Sequence, residues 1–145
     1  MTMAKASSDK QFLGTGWGFP PTFNKSANGM SVEMVSNHQD INESLRILLD
    51  TAPGERVMFP AYGCGIKRMV FEKIDESMMT ALKDTITRAV LFFEPRITLD
   101  SIDVDLADQF NGCVRFRLNY TVRTTNNRSN IVYPYYINEG SNVRL

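Results

Sequence analysis

Apolar positions change their period partway along this chain, and the change locates its main elements. Between residues 78 and 93, Met79, Leu82, Ile86, Val90 and Phe93 fall at helical spacing, and Ala89 widens the stripe. After Arg96 the period drops to two. Ile102, Val104 and Leu106 alternate with Ser101, Asp103 and Asp105, the pattern of a half-buried strand. The switch falls at Glu94-Pro95-Arg96. A proline disfavours the α conformation in the residue before it, so the helix should end at Phe93 or Glu94, with Asp75 or Ser77 as its N-cap. Helix then passes to sheet through three residues, two of them charged, which predicts a corner of the molecule.

Upstream, Ile41, Leu45, Leu48 and Leu49 predict a helix over 38–51, capped by Ser36 or Asn37 and stopped by Pro53-Gly54. His38 in its first turn has no identifiable activating partner and reads as a surface or capping-region side chain. Pro60, Gly63 and Gly65 predict an ordered loop after Pro53, followed by a short helix from about Ile66 to Glu72. Glu55 and Arg56 read as structural ion-pair partners, with each other or with other residues. Nearer the start, Phe12, Trp17 and Phe19 stand among glycines before Pro20-Pro21. This predicts irregular backbone, with Trp17 and Phe19 plugging one end of the core. Asn28-Gly29 signals a turn and Met30–Val35 a short strand.

The last third reads as β. Val114, Phe116, Leu118, Tyr120 and Val122 alternate with Arg115, Arg117, Asn119, Thr121 and Arg123. A two-residue turn of Asn111-Gly112 would set Leu106 opposite Arg117, so apolar rows would face polar ones. A three-residue loop sets Leu106 opposite Phe116, Val104 opposite Leu118 and Asp105 opposite Arg117. The expectation is an odd-length loop or a bulge with Gly112 at positive φ. After the polar turn 124–130, residues 131–137 form a third strand, which Pro134 places at an edge or breaks. The fold class is therefore α+β: two longer helices and a short one packed on a C-terminal antiparallel meander.

Composition narrows the function. Sixteen basic residues balance sixteen acidic ones, so no global excess points to nucleic acid or a membrane surface. No apolar run approaches a membrane span, and the polar N-terminus lacks the apolar core of a signal peptide, so cytoplasmic residence is expected. Residues 1–10 are expected to be a loosely held tail and 11–145 one domain. Cys64 and Cys113 are expected to be free, and a single histidine excludes zinc-type His/Cys clusters. GTGWGF lacks the preceding strand and following Lys-Ser/Thr of a phosphate-binding loop. No cofactor is implied.

Pro53-Gly54-Glu55-Arg56, Pro60 and Gly63, followed by Glu94-Pro95-Arg96 at the end of a long helix and then a hairpin, resemble the baseplate wedge family of contractile tails. That family is sometimes labelled acidic-lysozyme-like. It includes a component of type VI secretion and relatives in extracellular injection particles. The likeness covers about residues 12–137. It implies a structural role in an assembled tail particle, with large wedge subunits and the sheath protein as partners and tube or hub subunits as further candidates. Glu94, Pro95 and Arg96 would dock on the helical core bundle of the wedge. The strands around 98–107, 113–125 and 131–137, with Arg115, Phe116, Arg117, Leu118 and Asn119 at their centre, would template the first sheath ring by strand exchange.

The chemistry is compatible. Arg96 can fork onto carboxylates or carbonyls, Glu94 can accept from amides, and Pro95 stiffens the presentation. The competing expectation is that Glu94 and Arg96 pair within their own domain. Two rival functions are a soluble adaptor for a regulatory protein and a glycan hydrolase. Hydrolysis needs two carboxylates across one cleft, and no such pair is singled out here.

Overall fold

The computed structural model describes residues 13–69 and 74–136. The expectations for residues 1–10, Phe12, the end of the short helix at 70–72, Ile137 and the C-terminal tail lie outside them. The chain divides into two compact units between Leu45 and Arg46.

The first unit carries four short strands. β1 (Thr15–Trp17) pairs with β4 (Met34–Ser36), and β2 (Phe23–Ser26) pairs with β3 (Gly29–Val32), both antiparallel. The turn expected at Asn28-Gly29 closes the β2–β3 hairpin. The single strand expected over 30–35 is instead split at Glu33, whose amide donates to Thr22 O at 2.9 Å. Trp17 and Phe19 are not a plug. Trp17 is 61% exposed, and its ring meets Phe23 edge-on at 6.3 Å. Strands of three or four residues have too little face to enclose an indole. α1 (Asn37–Asp50) begins in this unit. Asn37 enters it at φ 63°, with its Oδ1 buried and without a hydrogen-bond partner, so that side chain does not cap the helix. Ile41 and Leu45 are buried as expected.

The second unit contains the end of α1 with buried Leu48 and Leu49, a 3-10 helix (Gly65–Met69), α2 (Glu76–Phe93) and a three-stranded sheet. Asp75 caps α2, its Oδ1 accepting the Met78 amide at 2.7 Å. The buried stripe of α2 is Met78, Leu82, Ile86, Ala89 and Val90, so Met78 rather than Met79 begins it. The helix ends at Phe93 with Glu94 as C-cap, where the proline rule puts it.

β5 (Ile97–Asp105), β6 (Cys113–Val122) and β7 (Asn127–Tyr136) form an antiparallel meander in the order β5-β6-β7. The apolar parity expected between β5 and β6 holds, but the register differs by two. Val104 faces Phe116, Ile102 faces Leu118, and Asp105 faces Arg115. The loop runs from Leu106 to Gly112, is odd in length, includes a 3-10 turn, and places Gly112 at φ 77°. A bulge between Leu99 and Ser101 reconciles Ile97 and Leu99, which face Val122 and Tyr120, with the even-numbered Ile102 and Val104. β7 begins at Asn127 rather than 131, because the turn tightens to residues 123–126 with Asn126 at φ 53°. Pro134 lies in an edge strand without breaking it. The core face is Val114, Phe116, Leu118, Tyr120 and Val122 of β6 with Ile131, Tyr133 and Tyr135 of β7.

Candidate docking site

The corner after α2 is built by its own charges. Glu94 follows Phe93 with φ −128° and ψ 75°, outside the helical region, and Pro95 prevents the helix from resuming. The Glu94 side chain turns inward and is 2% exposed. Arg96 closes on it as a fork, Nε donating to Oε1 at 2.6 Å and the terminal guanidinium nitrogen to Oε2 at 2.8 Å. Such bidentate charge-assisted pairing is strong and directional. The backbone is tied too: Arg123 N donates to Arg96 O at 3.0 Å, joining the corner to the far end of the sheet. Pro95 is exposed and Arg96 half-buried. Of the two charged residues, Glu94 is thus a brace inside the subunit, while Pro95 and part of Arg96 reach the surface.

The loop after α1 packs aromatic rings beside this corner. Phe59, Tyr62 and Phe93 form a triangle with centroid separations of 6.1, 5.8 and 5.2 Å. The Arg56 guanidinium lies 4.0 Å above the Tyr62 ring, a cation–π contact. Burial pushes the Tyr62 phenol above its ordinary value, the Arg56 charge opposes this, and the Glu94 carboxylate adds to it. Glu55 does not pair with Arg56; its carboxylate accepts the Ala52 amide at 3.0 Å. The loop closes through Gly54 N to Pro60 O at 2.8 Å and Cys64 N to Thr51 O at 2.8 Å. Gly63 is required here. Its φ is 133°, and a Cβ would lie 2.6 Å from Thr51 O.

Around these rings the surface is apolar. Val57 is 91% exposed, Met58 95% and Phe92 73%, with Phe59 and Leu91 also exposed. Sequence reasoning missed this surface. Leu91 and Phe92 lie off the buried stripe of α2, and Val57-Met58-Phe59 is an apolar run inside a turn-bounded loop; those out-of-phase residues were the available signal.

The β6 residues play another part than expected. β6 is the middle strand, hydrogen-bonded to β5 on one side and β7 on the other, so Arg115–Asn119 offer no open backbone to a neighbour. Phe116 and Leu118 are fully buried. Arg115 pairs with Asp108 at 2.5 Å. Asn119 Nδ2 donates to Ser101 Oγ at 2.9 Å and Asp103 Oδ2 at 2.8 Å. Arg115 and Arg117 are both exposed on the outward face, Arg117 opposite Asp103. Among the described residues, the open margins of the sheet belong to β5 and β7. Cys64 is a buried free thiol pushed up to about 11 by burial, and Cys113 is a half-buried free thiol.

Residues 35–127 match the family described as baseplate wedge protein gp25, a span that includes the ring-bearing loop, the corner, β5 and β6. The chain belongs to this family. A crystal structure from Geobacter sulfurreducens, of a protein provisionally named a tail lysozyme, is 39% identical with a TM-score of 0.69. That alignment covers 77% of this chain and 100% of that one. A chain in the baseplate of the anti-feeding prophage, seen by cryo-EM, is 26% identical with a TM-score of 0.61, covering 91% of this chain and 92% of its own. No curated protein matches. The braced corner and the ring loop both lie within the span that matches the wedge family.

Proposed function

We propose that this baseplate wedge component of a contractile injection system is a structural, non-catalytic subunit. It grips the large wedge subunits through the apolar surface around Glu94-Pro95-Arg96, and it starts the sheath through its open sheet margins. The observation that carries the first part is the exposed row Val57, Met58, Phe59, Leu91 and Phe92 beside a corner held rigid by an internal fork. The loop and the helix end meet through the Phe59–Phe93 ring contact, and large exposed apolar side chains gathered in this way mark an interaction site. In this reading Glu94 acts indirectly: it fixes Arg96 and Pro95, and the neighbour meets Pro95, the rim of Arg96 and the apolar row. The bundle-docking role comes from the family resemblance, and this surface suits an apolar helix face.

The test is Met58→Asp with Phe92→Asp. Both side chains are exposed, so stability should move by no more than about 0.5 kcal/mol. Incorporation into baseplates should be lost. Normal incorporation by a folded double variant would overturn the reading. Recovery of a single regulatory protein in place of wedge and sheath subunits would favour the adaptor function.

A relative named as a tail lysozyme raises glycan hydrolysis. That chemistry sets two carboxylates across a cleft at roughly 5–10 Å. Here both Glu94 oxygens are held by Arg96, while Asp103 accepts from Asn119 and Asp105 from the Ala107 amide on an exposed face. These engagements support the structural reading.

A further inference from the structure

The two open margins of the sheet are not equivalent. β5 carries the bulge at Asp100, which interrupts its ladder and bends its edge. β7 pairs with β6 in unbroken register from Asn127 to Tyr136. Beside β7 runs a groove of about 450 Å³ lined by the consecutive residues Val132 to Tyr136. Successive side chains of a strand point to opposite faces, so a groove that touches every one of them follows the strand's open edge. Its opposite wall is Arg46 and Asp50 of α1 and Lys67 of the 3-10 helix.

Backbone polarity can be assigned from one bond. Arg123 N donates to Arg96 O, so odd-numbered residues at this end of β6 bond toward β5 and even-numbered ones toward β7. By register, Ile131, Tyr133 and Tyr135 bond inward, and the backbone groups of Val132, Pro134 and Tyr136 point out into the groove. Pro134 has no amide to donate, so the outward row lacks one donor but keeps all its carbonyls. The charges across the groove are asymmetric. Asp50 is engaged by the Tyr133 hydroxyl at 2.7 Å. Arg46 and Lys67 are exposed, with no side-chain partner among the described residues.

We infer that the β7 margin, and not β5, accepts an extended acidic segment from a neighbouring subunit, with Arg46 and Lys67 reading its carboxylates. The inference rests on the strand-accepting part of the proposed function and specifies it. Main-chain hydrogen bonds would supply affinity, and the two cations would select for acidic side chains. The occupant is a sheath-type strand, the partner that the proposed function already gives this sheet, and its acidic character follows from Arg46 and Lys67 across the groove.

Photoreactive residues placed at Val132 on β7 and at Asp103 on β5 test it in assembled particles of the full chain. The expected result is a crosslink from position 132 to a neighbouring subunit, through a segment containing Asp or Glu, and none from 103. A crosslink from 103 alone, or from both, overturns the choice of margin while leaving strand templating standing. Crosslinks from neither remove templating as well, and a crosslink from 132 to another copy of this chain overturns the occupant. Arg46→Glu with Lys67→Glu should cut the crosslink at 132 at least tenfold, while Arg46→Lys with Lys67→Arg preserves it. An unchanged yield in the charge-reversed protein, with its circular dichroism intact, overturns the acidic selectivity.

Discussion

Strands β5–β7 and the β2–β3 hairpin share antiparallel pairing, yet their surfaces are opposite. In the meander, β6 and the part of β7 from Ile131 onward bury every second side chain, including Phe116, Tyr120 and Tyr133. In the hairpin, Phe23, Lys25 and Met30 are all exposed, and Val32 is only half-buried. The hairpin alternates as well: the pairs Phe23–Val32 and Lys25–Met30 share one face, and Asn24–Ser31 and Ser26–Gly29 the other. Alternation alone therefore does not make an inside. Burial needs enough strand length and a second layer to cover the face, and a two-stranded ribbon of four residues has neither on its own.

That contrast can be broken by mutation, most forcefully at the sheet. Phe116→Ala should cost about 4 kcal/mol in denaturant unfolding, because its ring is fully buried between the neighbouring strands. A loss near 1 kcal/mol would mean that the meander tolerates a cavity as a ribbon would.

Removing the brace comes next. Arg96→Ala should cost about 3 kcal/mol, since it strands a carboxylate that is 2% exposed. Glu94→Ala with Arg96→Ala should cost less than the sum of the single changes, a coupling that a double-mutant cycle measures. Strict additivity would mean that the fork is not the link between helix and sheet.

A pH series probes the same unit. Burial raises the Cys64 thiol to about 11 from an ordinary 9.0. The folded state then holds a proton that the unfolded chain releases first. Stability from this group is intact below pH 9 and falls as pH rises toward 11, by about 2 kcal/mol relative to Cys64→Ala. Parallel curves for the two proteins would show that the site admits water.

Asp75→Ala should cost about 1 kcal/mol through the lost N-cap bond to Met78. The smallest change is expected in the ribbon, where Phe23→Ala should move stability by less than about 0.5 kcal/mol. A loss of several kcal/mol would show that the exposed hairpin is part of the cooperative core.

Local patterns carried much of the fold. The α2 stripe, its Asp75 cap and its stop before Pro95 depend on neighbours within one or two turns, so the residues themselves disclose them. The parity between β5 and β6 was legible for the same reason. The two-residue error in register came from the loop, which runs from Leu106 to Gly112 around a 3-10 turn instead of over the three residues 110–112. Ile97 and Leu99 carried a separate signal. Their odd positions required a bulge before Ile102, and only the full apolar row shows it. The candidate site was half legible. Glu94-Pro95-Arg96 marked the corner, but its exposed partners Met58 and Phe92 were hidden among residues that a sequence pattern assigns to burial.

By itself the sequence determined where helix yields to strand, which face of β6 is apolar, and that Gly112 must bend the chain backwards, because these follow from local periodicity and backbone sterics. The tertiary structure decided that Glu94 turns inward while Met58 and Phe92 stay out, and that β6 lies in the middle with β7 at the margin. Those outcomes depend on which distant segments fill the space around each residue, and strand order and burial are properties of that shared space.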